Sequence, residues 1–413
     1  MAWLADLAPQ GTGSAPPATT GAPARLRRIA MAELTAPEAR ARWDSLAGRA
    51  AEPNPFHESW YLAPALAALD QAGEAEVMVL EAGGEWLGLL PLARSPRYYG
   101  RPVPHLGNWL HGNAFLGVPL VAQGHEAPFW RALLAHVDGA AGAALFLHLA
   151  EIPLDGPLAT ALQRVCTEQQ RPCGLVHREE RALLASSLAP EAYLEAALSG
   201  KKRKELRRQY ARLSEQGALA VTRRRDGTGL SQWTADFLAL EAAGWKGGAG
   251  SALAASPATA RLFAEALDGA ATRGRLERLT LSLDGAPLAM LATFLAPPGA
   301  FSYKTAFDER FARFSPGVLL QRENLALLAD PALDWCDSCA AADHPMIDHV
   351  WRERRAIGRF SVGIGGRLRR ALFSPLLKAE RARADRRASP APVPDQVRDD
   401  AFPTGRRPSG DQP

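Results

Sequence analysis

Cysteine is scarce in this sequence, and what little there is has the wrong spacing for a metal site. Among 413 residues there are four cysteines. Cys336 and Cys339 form a C-x-x-C, but Cys166 and Cys173 lie far away at a different spacing, so the four-ligand set of a structural zinc site is incomplete. We therefore assign no metal and no disulfide, and expect reduced thiols on a buried strand.

Long apolar runs are also lacking. No stretch of about 18 or more uncharged apolar residues occurs, which argues against a membrane-spanning helix. The opening residues, MAWLADLAPQGTGSAPPATTG, have neither a basic n-region nor a continuous apolar h-region, which argues against a secretory signal. These absences favour a cytoplasmic protein without a transmembrane segment.

The composition nevertheless supports a folded protein of some size. The chain is 47% hydrophobic and long enough for two domains, or for one domain built twice. Residues 1–28 are rich in Ala, Gly, Pro, Ser and Thr, and residues 377–413 are rich in Pro and charge. Such segments bury little apolar surface, so we expect both tails to be flexible and disordered.

The second half of the body has a clear order of elements. Helical patterns over 231–244 and 257–273 precede three β-rich runs within 276–307, the first two joined by Asp284-Gly285, a strong hairpin signal. A helix then starts at Ser-Pro-Gly, where Ser315 can cap and Pro316 can occupy the first turn.

The first half repeats this order more faintly. A helical pattern over 55–69 precedes a hairpin over 76–92 around Gly83-Gly84, an aromatic, glycine-rich stretch, a helix over 127–139 and a strand over 144–150. The pattern predicts an α/β (α+β) protein of two similar halves, 29–180 and 181–376. The first half lacks a Ser-Pro-Gly helix start, and we expect it to lack an anion site.

The Ser-Pro-Gly helix start is a candidate anion site. Helix N-termini present free N–H groups and the positive end of the helix dipole, and Gly317 would let a phosphate approach closely. Arg313 can add a bidentate contact. Arg313, Ser315, Gly317 and Val318 are thus a candidate pyrophosphate site, although an ordinary capped helix has the same sequence signature.

Four segments carry a family resemblance: KKRKELRRQYARLSEQG from Lys201, GWKGGAG from Gly244, SYKTAFDERFARFSPG from Ser302 and DHPMIDHVWRERRAIGRF from Asp343. Over about 55–360 the chain resembles the GNAT acyl-CoA transferases. Within them it resembles the BioF2-like or CelD-type acetyltransferases associated with cellulose and exopolysaccharide biosynthesis. It is also similar to FemX-type transferases, which have two GNAT-like halves and take an aminoacyl group from tRNA.

The resemblance implies two tandem GNAT-like halves with mixed central sheets and flanking helices. It implies an acyl-CoA-dependent N-acyltransferase, with acetyl-CoA or another acyl-CoA as co-substrate and no permanently bound cofactor. The implied acceptor is a small amine, an amino sugar or a polysaccharide precursor. A FemX-like aminoacyl-tRNA-dependent transferase and a non-catalytic scaffold of a polysaccharide synthase are the alternatives. One departure is that R-F-S-P-G-V has fewer glycines than the usual GNAT phosphate loop, which leaves the acyl carrier open.

Acyl transfer to an amine needs a base, because a lysine-like amine has a pKa of about 10.4. Glu241, before Gly-Trp-Lys-Gly, is the first candidate, Asp308 the second and Asp343 the third. Each can also be read as an exposed or salt-bridged carboxylate. His344 and His349 could shuttle protons or have no catalytic role.

Lys304 lies within an alternating apolar run, so its side chain belongs either to an exposed edge or to a cleft. In a cleft it could stabilise an oxyanion or bind a donor phosphate. Trp245 and Lys246, between glycines, and Tyr303 are candidate substrate contacts. The alternative for Trp245 is an anchor at a helix end.

Positive charge concentrates between Lys201 and Arg225, where ten Lys/Arg face two Glu. Leu206, Tyr210 and Leu213 recur with helical spacing, which predicts an amphipathic helix. Its cationic face is either solvated or contacts an anionic partner such as a CoA phosphate, an acidic glycan or a lipid surface. Transfer RNA ranks lowest and DNA is not expected, because no recognised nucleic-acid module accompanies the segment.

Overall fold

The computed structural model describes residues 23–342, 344 and 346–388. Asp343, most of the predicted N-terminal tail and residues 389–413 lie outside the described residues. The described ends differ from the expected tails at both termini. A strand begins at Arg25, and a helix continues to Ala388, because each packs an apolar side against the body.

The described residues form thirteen strands joined in one sheet. Their bounds are β1 (Arg25–Ile29), β2 (Glu76–Ala82), β3 (Glu85–Ser95), β4 (His105–Asn108), β5 (Leu120–Val121), β6 (Phe146–Pro153), β7 (Cys173–Leu184), β8 (Leu219–Arg224), β9 (Leu276–Leu283), β10 (Ala286–Ala296), β11 (Gly299–Phe307), β12 (Trp335–Asp337) and β13 (Glu353–Gly363).

Helices cover both faces of this sheet. Their bounds are α1 (Met31–Leu34), α2 (Pro37–Gly48), α3 (Ser59–Leu69), α4 (Glu126–Gly139), α5 (Pro157–Glu168), α6 (Pro190–Ala197), α7 (Gly200–Ser214), α8 (Leu230–Ala243), α9 (Trp245–Gly248), α10 (Pro257–Thr272), α11 (Pro316–Asn324) and α12 (Arg367–Ala388). Among the described residues, no helix combines the length and apolar character needed to cross a membrane.

Both predicted hairpins are confirmed. Ala82 pairs with Glu85 across Gly83-Gly84, and Leu283 pairs with Ala286 across Asp284-Gly285. The turn residues have positive φ, 58° and 83° in the first turn and 49° and 83° in the second. These conformations match the right-handed twist of the paired strands, which explains the Gly-Gly and Asp-Gly sequences.

The mixed α/β architecture with two similar halves is also confirmed. In each half an antiparallel meander, β1 to β4 or β8 to β11, is followed by a helix and a strand parallel to the last member: β6 beside β4, and β12 beside β11. The full order is β1-β2-β3-β4-β6-β13-β7-β12-β11-β10-β9-β8, with β5 beside β3.

The halves exchange their last strands, and the predicted boundary at 180/181 lies within one of these strands, β7. β7, from the first half, pairs with β12 of the second, whereas β13, from the second half, pairs with β6 of the first. β7 and β13 also pair with each other. The two halves therefore share one continuous sheet.

An aromatic cluster packs the two halves together beside the sheet centre. Phe56, Trp60 and Tyr61 from the first half contact Phe294 and Tyr303 from the second, with ring centroids 4.9 to 6.3 Å apart. All five side chains are buried. Burial of these large rings stabilises the junction, and one of them, Tyr303, also lines a cavity in the second half.

Candidate active site

The central feature of the second half is a gap between two parallel strands. Only three residues of β11, Gly299–Phe301, pair with β12, at Trp335–Asp337. β12 then ends, while β11 continues to Phe307 beside β10. Residues 302–307 therefore have one strand edge without a partner strand among the described residues. A cavity of about 310 Å³ occupies the gap.

Asp337 fixes the point where the strands diverge. Its buried carboxylate accepts hydrogen bonds from Arg181 at 2.7 Å, from Arg355 at 2.9 Å and from the Cys339 N–H at 2.9 Å. Burial alone would raise the pKa of Asp337, but the two guanidinium groups hold it below its usual range. Arg181 lies on β7 and Arg355 on β13, so these two strands hold the end of β12 at the point where it leaves β11.

Lys304 lies in the cavity wall, in the cleft rather than at an exposed edge. Its Nζ is 5.1 Å from the Phe115 ring centroid and 5.6 Å from that of Tyr303. Burial, and then the charge of Lys246, lower the pKa of Lys304 to about 8, against the opposing effect of Glu241. A neutral amine is therefore accessible near physiological pH, and the protonated form remains available as a cation.

Glu241, which is buried, and Lys246, which is half-buried, form an ion pair in the cavity wall. Glu241 Oε1 accepts from Lys246 Nζ at 2.7 Å, and Oε2 accepts from the Leu253 N–H at 2.8 Å. Lys246 Nζ also lies 3.4 Å from the Thr305 carbonyl oxygen of β11. With both carboxylate oxygens engaged, Glu241 ties the Gly-Trp-Lys-Gly turn to the strand edge.

Trp245 and Glu309 lie at the cavity mouth. The Trp245 N–H donates to Glu309 Oε1 at 2.6 Å, and its side chain is 61% exposed. This exposed position rules out an anchoring role in the core for the ring. It leaves an aromatic surface beside the opening, as required for contact with a ligand.

Tyr303, in the cavity wall, is also a point of contact between the two halves. Its hydroxyl lies 3.3 Å from that of Tyr61, which in turn donates to the Asn113 carbonyl oxygen. Burial raises the pKa of Tyr303 and keeps the phenol protonated. Phe115, from the glycine-rich stretch of the first half, also lines the cavity.

The predicted anion site lies next to the cavity but is covered. Gly317 is buried, and a Cβ at this position would lie 2.6 Å from Met346 Sδ and 3.4 Å from Phe307, both cavity-lining residues. Pro316 occupies the first helical position, as predicted. Arg313 is exposed and stacks on Phe314, with its guanidinium carbon 4.6 Å from the ring centroid.

Ser315 does not cap α11, contrary to the sequence prediction. Its backbone is left-handed, with φ 53°, and its Oγ accepts from Gln209 Nε2 of α7 at 3.2 Å instead. The contact joins the basic helix to the start of α11. Arg313, Ser315 and Val318 do not line the cavity.

Of the remaining carboxylate and histidine candidates in the described residues, His344 alone lines the cavity. Asp308 lies outside the cavity lining; it accepts from Arg310 at 2.6 Å and caps the short 3-10 helix 309–314, and Arg310 lowers its pKa. Asp343 lies outside the described residues. His344 lines the cavity, and burial lowers its pKa, whereas His349 is exposed.

Cys339 is a cavity residue that the sequence pattern did not single out as functional. Burial raises its pKa, so the thiol stays protonated, which disfavours it as a nucleophile. Cys336, on β12, is buried, and all four cysteines are free. In the described ranges no cluster of three His, Cys, Asp or Glu residues has metal-binding geometry.

The corresponding gap in the first half is closed by one side chain. Beyond the parallel contact of β4 and β6, Asn108 Nδ2 donates to the Ala150 carbonyl oxygen at 2.9 Å, and Asn108 Oδ1 accepts from the Ala150 N–H at 2.9 Å. Asn108 Nδ2 also donates to the Gly117 carbonyl oxygen. The Asn108 amide thus joins β4 to β6 in the first half. At the equivalent place in the second half, β11 and β12 diverge.

A known protein family matches part of the half that contains the cavity. A family described as Acetyltransferase (GNAT) domain matches residues 200–345, which include most of the cavity lining. Residues 200–345 are therefore similar to a GNAT-type acetyltransferase domain. No curated protein sequence matches the chain.

Several solved structures share the fold of this chain over most of its length. FemX is 11% identical, covering 86% of this chain and 100% of its own, with a TM-score of 0.50. The C-terminal domain (DUF2156) of a putative lysylphosphatidylglycerol synthetase from Agrobacterium fabrum is 13% identical, with coverages of 84% and 96% and a TM-score of 0.51. A conserved protein of unknown function from Bacteroides thetaiotaomicron is 10% identical, with coverages of 82% and 99% and a TM-score of 0.51.

Proposed function

We propose that this protein is a cytoplasmic, acyl-CoA-dependent N-acyltransferase, with acetyl-CoA as the first donor to test. The observation that carries the proposal is the open gap between β11 and β12, which contains Lys304 in a GNAT-type domain. The donor would bind as a co-substrate in the second half, and no permanently bound cofactor or metal is required.

The unpaired edge of β11 supplies a binding mode for the donor. Backbone N–H and C=O groups of residues 302–307 can pair with an extended amide-containing arm, as an added strand does. Such an arm would run toward Phe307 and the start of α11. We assign the phosphate end of the donor to Arg313, Ser315, Gly317 and Val318, which requires the Met346 side chain to move off Gly317.

We assign proton transfer to Lys304. The attacking amine forms the new C–N bond, the thioester C–S bond breaks with release of the CoA thiolate, and the amine proton passes to the neutral Lys304 amine. A base with a pKa of about 8 suits this step near neutral pH. Lys246, held by Glu241, contributes a cation toward the developing oxyanion. Glu241 is thereby a positioning residue, Asp308 is assigned no step, and Asp343 stays a prediction.

The acceptor is proposed from the mouth of the cavity and the sequence resemblance together. Trp245, Tyr303 and Phe115 offer aromatic surface beside the charged Lys246. Such a lining suits an amino sugar or another small polar amine. The resemblance to BioF2-like and CelD-type proteins supports a precursor of cellulose or another exopolysaccharide as the wider context.

Aminoacyl-tRNA-dependent transfer is the second candidate, and a specific observation favours it. Met346 covers Gly317, and α7 presents exposed cations beside the same helix start, among them Lys201, Lys204 and Arg212. A polyanionic carrier could use that face without entering the covered turn.

Thermal denaturation tests the assignment. Acetyl-CoA at about 100 times its Kd should stabilise the protein by about 2.7 kcal/mol. Arg313→Ala should abolish the shift, whereas Arg310→Ala, a matched exposed arginine paired with Asp308, should keep it. No shift with any acyl-CoA but stabilisation by charged tRNA would establish the second candidate, and no response to either would indicate a non-catalytic scaffold.

A further inference from the structure

The outward face of α12 is apolar, which is unusual for an exposed helix. Leu368 is 85% exposed and Leu372 is 72% exposed, the two highest values among the exposed large hydrophobic side chains of the described residues. With helical spacing they continue into a single stripe that is exposed throughout: Leu368, Ala371, Leu372, Pro375, Ala379 and Ala382. We call these six residues the α12 stripe.

The orientation of the helix is fixed by its other face. Phe373 and Leu377 are buried, and the Phe373 ring stacks on Phe146 with centroids 4.9 Å apart. Arg370 donates to Asp138 at 2.5 Å, and Arg369 donates to the Gly142 carbonyl oxygen at 2.8 Å. Rotating the helix to bury the α12 stripe would break these contacts, so the stripe stays outward.

Positive charge flanks the stripe. α12 contains eight Lys/Arg against two acidic residues. Lys378 lies on one side of the stripe by helical spacing and Arg383 on the other, and both are exposed. An apolar stripe bordered by cations complements the interface of an anionic bilayer, where apolar side chains enter the acyl boundary and cations contact lipid phosphates.

We propose that the α12 stripe docks the protein on the surface of an anionic membrane. The helix would lie in the plane of the interface, with Leu368 and Leu372 inserted and Lys378 and Arg383 at headgroup level. The proposal does not depend on the acyltransferase assignment, because α12 lies on the first half, away from the cavity between β11 and β12.

Co-sedimentation of the full chain with lipid vesicles tests the proposal. We expect binding to phosphatidylcholine vesicles that contain phosphatidylglycerol, weakening as salt rises, and much less binding to phosphatidylcholine alone. Leu368→Glu/Leu372→Glu should weaken binding about tenfold or more. Leu188→Glu, at a 43% exposed leucine outside α12, should bind as the wild type does.

A charge variant distinguishes docking on anionic lipid from nonspecific hydrophobic adsorption. Lys378→Gln/Arg383→Gln should weaken binding to the anionic vesicles by roughly fivefold for each cation and reduce the salt dependence. All substituted side chains are exposed, so melting temperatures should match the wild type; Leu368→Ser is the milder variant should the double glutamate variant unfold.

Three results would overturn the proposal. The first is no wild-type binding to phosphatidylglycerol vesicles. The second is unchanged binding by both double variants. The third is a wild-type dimer in analytical ultracentrifugation that Leu368→Glu/Leu372→Glu converts to a monomer, with no vesicle binding, which would make a second copy of this chain the occupant of the α12 stripe.

Discussion

At the scale of single residues, the position of Lys304 decides which chemistry the cavity can support. A solvent-exposed lysine would keep an ordinary pKa. Lys304 instead faces the gap beside Phe115 and Tyr303, where burial lowers its pKa to about 8. The same side chain can therefore accept a proton when neutral and attract an anion when charged, depending on pH.

Replacing Lys304 should remove one limb of the pH–rate profile. If the neutral amine is the base, kcat/KM should rise with pH up to about 8. Lys304→Met should lose this limb and lower activity by about 100-fold or more. Lys246→Met, which alters the neighbouring cation, should keep an acidic limb. A limb near pH 8 that persists in Lys304→Met would contradict the assignment.

The stability of the same variant gives an independent check that needs no substrate. In the folded state Lys304 binds fewer protons than in the unfolded state between pH 8 and the ordinary lysine value, so wild-type stability should rise with pH across that window. Lys304→Met should be more stable than the wild type at neutral pH, by up to about 3 kcal/mol. Urea denaturation measures this difference in the free energy of unfolding, which should shrink above pH 8. A difference that stays constant with pH would argue against the lowered pKa of Lys304.

Asp337 and Asp308 show why an acidic residue must be judged by its surroundings. Asp337 is buried between Arg181 and Arg355, whereas Asp308 pairs with Arg310, whose side chain is 84% exposed. Asp337→Asn should cost about 3 to 5 kcal/mol, because it leaves buried guanidinium charge uncompensated. Asp308→Asn should cost at most about 1 kcal/mol and leave activity unchanged. Equal losses in chemical denaturation would contradict this distinction.

At the scale of elements, the Gly-Trp-Lys-Gly turn depends on one glycine. The chain folds back on α8 so tightly that a Cβ at Gly247 would lie 1.8 Å from the Ala242 carbonyl oxygen, whereas a Cβ at Gly248 would meet nothing within 4 Å. Gly247→Ala should displace Lys246 from Glu241 and lower activity at least about tenfold. Gly248→Ala should be close to neutral, and similar activities for both variants would exclude a positioning role for the turn.

Elements with local signals could be predicted from the sequence, and contacts between distant segments could not. The Asp284-Gly285 hairpin and the Pro316 helix start follow from backbone preferences of a few residues. The left-handed Ser315 and the Met346 side chain over Gly317 depend on α7 and on a later loop, which no local pattern encodes. The cluster of Glu241, Lys246 and Lys304 arises because α8 ends beside β11, a tertiary arrangement.

At the scale of the whole molecule, the exchange of β7 and β13 makes the two halves interdependent. Each half provides a central strand to the other, and Asp337 of the second half is bound by arginines on both exchanged strands. The internal repeat was visible in the sequence because strand and turn signals recur. The exchange was not visible, because no local pattern links a strand to a distant partner. β7 pairs with β12, and β13 pairs with β6, each across more than a hundred residues of sequence.

The exchange predicts one cooperative unfolding unit rather than two. Separating the chain after Leu184 would leave β6 and β7 of the first fragment without β13, and an unpaired strand edge invites aggregation. We expect residues 23–184 expressed alone to aggregate or to lack a sharp thermal transition, and coexpression with residues 185–388 to restore a soluble complex. In the intact chain, circular dichroism and tryptophan fluorescence should report the same denaturation midpoint. A monomeric, cooperatively folding first fragment would show that the exchanged strands are dispensable, and the first half would then count as an independent domain.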